Sequence, residues 1–239
     1  MDDDTRIDEF AEGMYRISTW TDPPGMVFNQ ILVDAEEPLL FHLGHRGAFD
    51  VVSAAVDRVV PLDRLRWLSF GHYEADECGA MNPWLAAAPH SEVVHGLTGV
   101  LVSLGDAADR APRALADGEV LDLGGRRIRW IDTPHVPHGW DAGLMFEETT
   151  GTLFAGDLFT QMGPSNAVTG DTDVLTRAIE TEDLLGATAV TPRTAPTLRA
   201  LAGLEPNRLA LMHGPVFEGD GGSLLGALAD DYEARLTGA

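Results

Sequence analysis

Residues 72–77 have the sequence HYEADE and place three side chains that can bind a metal ion at alternate positions, His72, Glu74 and Asp76. The segment directly follows the apolar run at residues 65–70. Side chains two positions apart share a face in an extended or tightly looped chain but not in a helix. The pattern therefore predicts that a strand ends here and presents metal ligands at its end.

Three later segments offer further ligands of the same kinds. They are TPHVPH at residues 133–138, FAGD at residues 154–157 and LMHG at residues 211–214. An isolated acidic run is usually a solvated surface, and a lone His213 is more often structural than a ligand. However, all four segments lie at or just past the end of an apolar, strand-like run. This joint occurrence favours one metal site at one edge of a sheet.

The order of these motifs resembles that of the metallo-β-lactamase superfamily over nearly the whole chain. The order is His-x-Glu-x-Asp, then His-x-Pro, then Gly-Asp, then a late His-Gly. Hydrolytic zinc members usually show His-x-His-x-Asp-His, so Glu74 points to the branch of flavodiiron proteins and stand-alone oxygen-binding diiron proteins. The resemblance implies an α/β fold of the αββα type, a four-layer metallo-β-lactamase-like sandwich.

The same resemblance implies a pair of metal ions and a specific set of ligands. His72, Glu74 and His135 would bind one metal, Asp76 and His213 would bind the other, and Asp157 would bridge the two. His135 is preferred to His138 because His-x-Pro matches the family motif. His138 is expected behind the ligands, where it or Tyr73 would donate a hydrogen bond to bound oxygen; Tyr73, Trp140 and Phe159 are candidates for lining the pocket.

Glu77 departs from the family pattern, because many relatives carry histidine directly after the aspartate of the motif. Two interpretations stay open at this point: Glu77 binds the second metal, or it lies exposed in the first turn of the next helix. The carboxylates Glu74, Asp76 and Asp157 supply hard oxygen ligands, which favour iron, while zinc and manganese remain compatible with the same residues.

The leading functional hypothesis is a non-haem diiron protein that binds or reduces dioxygen or nitric oxide, with any electrons supplied by a separate partner. The alternative is a metal-dependent hydrolase in which a metal-bound hydroxide attacks a small ester-type substrate. A third hypothesis is a sensor that passes the redox state of the metals to a partner protein.

Length, charge and cysteine content indicate the number of domains, the kinds of partner and the cellular compartment. The chain has 239 residues, and the ligands are spread from position 72 to 213, so we expect a single metallo-β-lactamase-like domain over residues 1–239 and no flavodoxin domain. A net charge of -22 argues against binding nucleic acid or an anionic membrane. The single cysteine, Cys78, and the lack of a secretory signal pattern in residues 1–6 predict a cytoplasmic protein. A homodimer is compatible with the sequence.

Periodicity and turn residues predict the elements that carry the site. The predicted strands are residues 14–17, 26–33, 38–42, 65–70, 92–94, 120–123, 126–131, 144–148, 152–155 and 208–212. The predicted helices are residues 49–60, 76–88, 173–185, 195–202 and 223–236, and residues 98–104 are predicted as a short helix or a turn. Hairpins in two groups with helices after each are typical of two sheets packed face to face and covered by helices.

Overall fold

Seven of the described strands lie in the first half of the chain, and the two longest described helices lie in the second half. A computed structural model of the protein describes residues 5–238. Of residues 1–6, from which the sequence analysis argued against a secretory signal, residues 1–4 therefore lie outside the described residues. The strands are β1 Thr5–Ala11, β2 Met14–Thr21, β3 Met26–Val33, β4 Leu39–Phe41, β5 Trp67–Ser69, β6 Glu92–Gly96, β7 Arg113–Leu115, β8 Val120–Asp122, β9 Arg127–Asp132, β10 Gly143–Glu147, β11 Thr152–Gly156, β12 Val168–Thr169, β13 Arg208–Leu211 and β14 Val216–Glu218.

The α-helices differ widely in length. They are α1 Phe49–Asp57, α2 Ala75–Cys78, α3 Met81–Ala87, α4 Leu97–Gly99, α5 Gly105–Ala107, α6 Asp173–Leu185, α7 Thr194–Ala202 and α8 Gly221–Thr237. A π-helical segment, Val100–Leu104, joins α4 to α5, and short 3-10 turns occupy Arg46–Ala48 and Leu62–Arg64. Within residues 5–238, none of the helices combines the length and the apolar character that a membrane crossing needs.

Within the described residues the strands form two mixed sheets of seven. The first has the order β1-β2-β3-β4-β5-β6-β7, antiparallel from β1 to β4 and parallel from β4 to β7. The second has the order β12-β14-β13-β11-β10-β9-β8, in which β8 to β11 form an antiparallel meander and β11 pairs with β13 in parallel. Parallel pairs bring the carboxyl ends of β4, β5 and β6, and of β11 and β13, to common edges.

Buried apolar side chains form three main cores. Residues of both sheets, among them Phe41, Trp67, Trp130 and Phe154, form the core between the sheets. A second core lies between the first sheet and helices α1 and α3, and a third between the second sheet and helices α6, α7 and α8. This order of layers confirms the predicted αββα sandwich, because each sheet buries one face against the other and one face against helices.

Gly143 at the start of β10 allows a close approach of Trp130 in the core between the sheets. A Cβ atom on Gly143 would lie 2.1 Å from Cζ2 of the fully buried Trp130. We therefore expect Gly143→Ala to lower the free energy of unfolding by about 1–3 kcal/mol, the cost typical of overpacking a core. Chemical denaturation measures this change.

Gly226→Ala in α8 is the matched control, because apart from its chain neighbours and the backbone of its own helix no atom lies within 4 Å of the added methyl group. It should raise the free energy of unfolding by about 0.5–1 kcal/mol, since alanine favours the helix. Equal stability of Gly143→Ala and the unsubstituted protein would show that Trp130 moves freely, against the packing described.

Candidate metal centre

The predicted ligands lie just past the ends of strands from both sheets. His72 follows β5 of the first sheet, and Asp157 and His213 follow β11 and β13 of the second. His138 lies in the loop between β9 and β10. These four segments meet at one edge of the sandwich, as the sequence predicted.

One group of four side chains is compact enough to surround a single ion. His72, Glu74, His138 and Asp157 each offer one ligand atom, and these atoms all lie within 4.8 Å of one another. Glu74 Oε2 lies 2.7 Å from Nε2 of His72 and 3.0 Å from Nε2 of His138. Asp157 Oδ2 lies 3.5 Å from Nε2 of His138. Two imidazoles and two carboxylates are a donor set that transition metals prefer.

A second group shares Asp157 with the first. Nε2 of His213 lies 3.3 Å from Asp157 Oδ1 and 3.4 Å from Asp76 Oδ2. Asp157 thus directs one carboxylate oxygen to each group, which is the arrangement of a bridging ligand. Its Oδ1 is buried and makes no hydrogen bond to any described residue. A buried carboxylate oxygen without a donor suits a cation.

The loop at residues 133–138 presents His138 to the site and His135 to solvent. Val136 is buried, with its N–H donating to the carbonyl oxygen of Thr133 at 2.8 Å, and Thr133 Oγ1 donating to the carbonyl oxygen of Val136. This turn places the two histidines on opposite sides of a buried residue. His135, which the family motif favoured, is exposed and outside the group of four, whereas His138 is part of it.

Glu77 takes neither of the two positions that the sequence left open. Its side chain is fully buried behind His72, with Oε1 3.3 Å from Nδ1 of that residue. Oε2 lies 2.7 Å from Nδ1 of His42 and accepts a hydrogen bond of 2.6 Å from the N–H of Gly71. Glu77 therefore fixes the orientation of His72 and leaves its Nε2 facing the other ligands.

His42 was missed by the sequence analysis, which placed it only as the last residue of a predicted strand. It lies directly after β4, next to the end of β5, and is 1% exposed. The sequence offered one signal for a role of His42 in the site, which is its position at the end of a predicted strand, as for the candidate ligands. Its contact with Glu77 joins residues 35 positions apart, which a local pattern does not reveal.

The charges of the site favour cations. Burial alone would lower the pKa of His72, but hydrogen bonds to Glu74 and Glu77 outweigh burial and raise that pKa to about 11. Burial also lowers the pKa of His213, but the nearby carboxylates of Asp157 and Asp76 outweigh it and raise that pKa to about 10. The carboxylates thus stabilise positive charge at both imidazoles. A metal ion supplies that charge in place of the imidazole protons, so the residues present fit a metal.

A cavity of about 190 Å³ opens over the metal centre. One wall consists of candidate ligands, namely Glu74, Asp76, His138, Asp157 and His213. The other wall includes residues after β11 and on helices α6 and α8, namely Phe159, Thr160, Ala178, Thr181, Leu185 and Tyr232. Phe159 thus lines the cavity, as expected. Tyr73 and Trp140 do not line it and are largely exposed.

Cys78 lies beside the site in surroundings that disfavour its reactive thiolate form. It is buried in α2, and its thiol donates a hydrogen bond of 3.2 Å to the carbonyl oxygen of Glu74. Burial raises the pKa of the Cys78 thiol to about 12. The reactive thiolate is therefore disfavoured.

The four layers and the edge site define a metallo-β-lactamase-like domain with a His, Glu and Asp cluster suited to metal. A family model described as ODP family beta lactamase matches residues 26–184, which is more than half of the chain. The chain belongs to this family, and its domain resembles the diiron core of flavodiiron proteins.

Solved structures of flavodiiron proteins share the fold. The rubredoxin oxygen:oxidoreductase of Desulfovibrio gigas superposes with a TM-score of 0.82 at 18% identity, over 95% of this chain and 62% of that chain. The flavodiiron protein of Giardia intestinalis superposes with a TM-score of 0.79 at 16% identity, over 96% of this chain and 60% of that chain.

Curated relatives match a smaller part of the chain. A protein described as a diflavin flavoprotein, from Thermosynechococcus vestitus, is 30% identical over 138 residues, which cover 56% of this chain and 24% of the relative. A coenzyme oxidase of Methanothermobacter marburgensis is 28% identical over 147 residues, which cover 57% of this chain and 35% of the relative. The match therefore spans about a quarter to a third of the length of these relatives.

Proposed function

We propose that the chain binds two iron ions and uses them to bind or reduce dioxygen or nitric oxide, with electrons supplied by a separate partner. The observation that supports this most directly is the position of Asp157, which directs one oxygen to each of two groups of ligands. When bound, an iron pair supplies redox chemistry that zinc does not have.

The proposed ligand set differs from the sequence prediction at one position. His72, Glu74 and His138 would hold one ion, and Asp76 and His213 the other, with Asp157 between them. His138 replaces His135 in this set because only His138 lies among the other ligand atoms. Tyr73 is also withdrawn as a donor to the bound gas, since its side chain does not line the cavity.

The balance of carboxylate and imidazole supports iron over zinc. Three carboxylates face the proposed metal positions, and harder oxygen ligands favour harder, more highly charged ions. Hydrogen bonds from His72 and His138 lower the pKa of Glu74 to about 2, with that of His72 contributing most. Glu74 therefore stays ionised and available as a ligand at neutral pH.

The chain's own residues would bind and shield the small ligand. Phe159 and Leu185 give the cavity an apolar wall opposite the metal ligands, which suits a neutral diatomic molecule. The names of two similar proteins, an oxygen oxidoreductase and an oxidase, support oxygen as the electron acceptor. The electron donor is proposed as a separate partner protein.

Metal-dependent hydrolysis is the second candidate, and the size of the cavity favours it. A volume of about 190 Å³ is far more than a diatomic molecule or a single water needs. A small ester-type substrate would fit the same space. With zinc in the site, a bound hydroxide is the expected nucleophile of such an enzyme.

Metal content and two activities separate the candidates. Protein produced with ample iron and purified without oxygen should contain about two irons per chain, and should bind dioxygen or consume it in the presence of a reductant. The zinc form should then be inactive towards both oxygen and small esters. Ester hydrolysis by the zinc form, with no oxygen-dependent change in the iron form, would replace the proposal by hydrolysis.

Asp157→Asn should abolish the oxygen-dependent spectrum of the iron form, because an amide oxygen without charge is a poor bridge between two cations. Asp50→Asn, an exposed position in α1, removes the same charge away from the site and should leave the spectrum unchanged. An unaltered spectrum in Asp157→Asn would refute the bridging assignment.

A further inference from the structure

A second cavity lies at the open edge of the sandwich, on the other side of residues 213–214 from the metal centre. It has a volume of about 310 Å³, and its lining includes Arg6, Arg16, Ser18, Trp20, Pro164 and Ser165. β1 and β2 pair so that Arg6 lies opposite Ser18 and Asp8 opposite Arg16. Since alternate residues of a strand share a face, these four side chains project to the same side of the sheet.

Arg16 is the unusual member of this cavity, because it is 1% exposed. Its Nη1 lies 3.2 Å from Asp8 Oδ2, and its Nη2 donates to Ser165 Oγ at 2.8 Å and to the carbonyl oxygen of Gly214 at 3.3 Å. Its Nε is buried and has no hydrogen-bond partner among the described residues. A buried guanidinium with an unused donor is costly unless an acceptor reaches it.

Arg6 adds a second positive charge to the same cavity. Burial, opposed by Asp8 and assisted by the charge of Arg6, lowers the pKa of Arg16 to about 10. Within residues 5–238 no carboxylate forms an ion pair with Arg6, so Asp8 balances one of the two guanidinium charges. Among the described residues that line this cavity or pair with its arginines, two guanidinium groups face one carboxylate, whereas the net charge of the whole chain is -22.

We infer that this edge cavity binds a small organic oxyanion, a carboxylate or a phosphate ester, through Arg6 and Arg16. Guanidinium groups recognise both oxyanions by paired, charge-assisted hydrogen bonds. The hydroxyl groups of Ser18 and Ser165 are further donors at the cavity wall, and Trp20 and Pro164 offer apolar surface for the body of the ligand. The site is independent of the metal centre and of the reaction proposed there.

The Nε–H signals of Arg6 and Arg16 and the indole N–H signal of Trp20 report binding in a nuclear magnetic resonance titration. Inorganic phosphate and acetate are the probes, each at constant ionic strength. Saturable shifts of these signals are expected. A tighter response to phosphate assigns the ligand as a phosphate ester, and a tighter response to acetate assigns it as a carboxylate.

Arg6→Gln should bind the preferred probe at least about tenfold more weakly, the effect of losing one charge-assisted contact. Arg58→Gln, at the exposed end of α1, makes the same change of charge outside the cavity and should bind as the unsubstituted protein does. Metal content should be equal in both variants. Shifts that rise linearly with both anions, or equal affinity in the two variants, would overturn the inference.

Discussion

His138→Ala should reduce the affinity for the metal by about 100-fold or more, because His138 is a proposed direct ligand. Losing a direct ligand has at least the effect of losing a residue that only supports one. The Nε2 atom of His138 lies among the ligand atoms of Glu74 and Asp157. No other described histidine takes its place in that group of four. Metal competition against a chelator of known affinity measures the loss.

His135→Ala is the matched control for this prediction, because it removes the same side chain from the same loop. His135 is exposed and lies outside the group of ligand atoms, so its replacement should leave metal affinity unchanged. The opposite outcome, with metal lost from His135→Ala and kept in His138→Ala, would restore the ligand set that the family motif suggested and refute the one proposed from the geometry.

Glu77→Gln should lower the free energy of unfolding by about 3 kcal/mol or more, the effect of removing one partner of a buried ion pair. Glu77 accepts from Gly71 and faces Nδ1 of both His42 and His72. A glutamine has one amide oxygen for these contacts, and its NH2 group must face one of the donors. Because the side chain at position 77 is fully buried, bulk solvent does not reach it to relieve that conflict.

The same substitution should also weaken metal binding, by about 10-fold to 100-fold, through the tautomer of His72. When a metal replaces the proton on Nε2 of His72, Glu77 would keep the other proton on Nδ1, which lies 3.3 Å from Glu77 Oε1, and so leave the Nε2 lone pair for the metal. An NH2 group facing Nδ1 would favour the tautomer with the proton on Nε2, which cannot bind a metal. The absorption spectrum of the metal-loaded variant should therefore change even where the protein remains folded.

Glu180→Gln, at an exposed position of α6, serves as the control for both measurements. It should alter neither the stability nor the spectrum. If Glu77→Gln lost stability but kept the metal affinity and spectrum of the unsubstituted protein, Glu77 would have a structural role only, and the orientation of His72 would not depend on it.

Long elements with a clear apolar pattern were predictable from the sequence. The strand at residues 26–33 and the helix at residues 173–185 were predicted with the bounds that the structure has. The predicted helix at residues 76–88 was wrong in one respect, because it is divided into α2 and α3. The N–H of Ala80 donates to the carbonyl oxygen of Gly44, which lies in a distant loop and is invisible to a helical pattern.

Short and polar strands were missed because they carry little apolar periodicity. β1 alternates apolar residues with Arg6, Asp8 and other polar residues at the edge of its sheet, and β7, β12 and β14 have two or three residues each. Their place in the sheets depends on the neighbouring strand rather than on their own composition.

Within the site, the sequence indicated five ligands that the structure brings together: His72, Glu74, Asp76, Asp157 and His213. That they bind metal remains a prediction. The structure places His138, and not His135, among the other candidate ligand atoms, because the loop turns around the buried Val136. A comparison of motifs does not include that packing. The contacts of Glu77 with His42 depended on the tertiary fold.

Because the proposed ligands belong to loops of both sheets, a bound metal would join the two halves of the sandwich. His72 follows a strand of the first sheet, and Asp157 and His213 follow strands of the second. Ions that bind only the folded chain shift the folding equilibrium by mass action, so metal supply would set the lifetime of this protein as well as its activity. With iron as the proposed metal, iron limitation would then reduce the amount of folded protein in step with its loss of function.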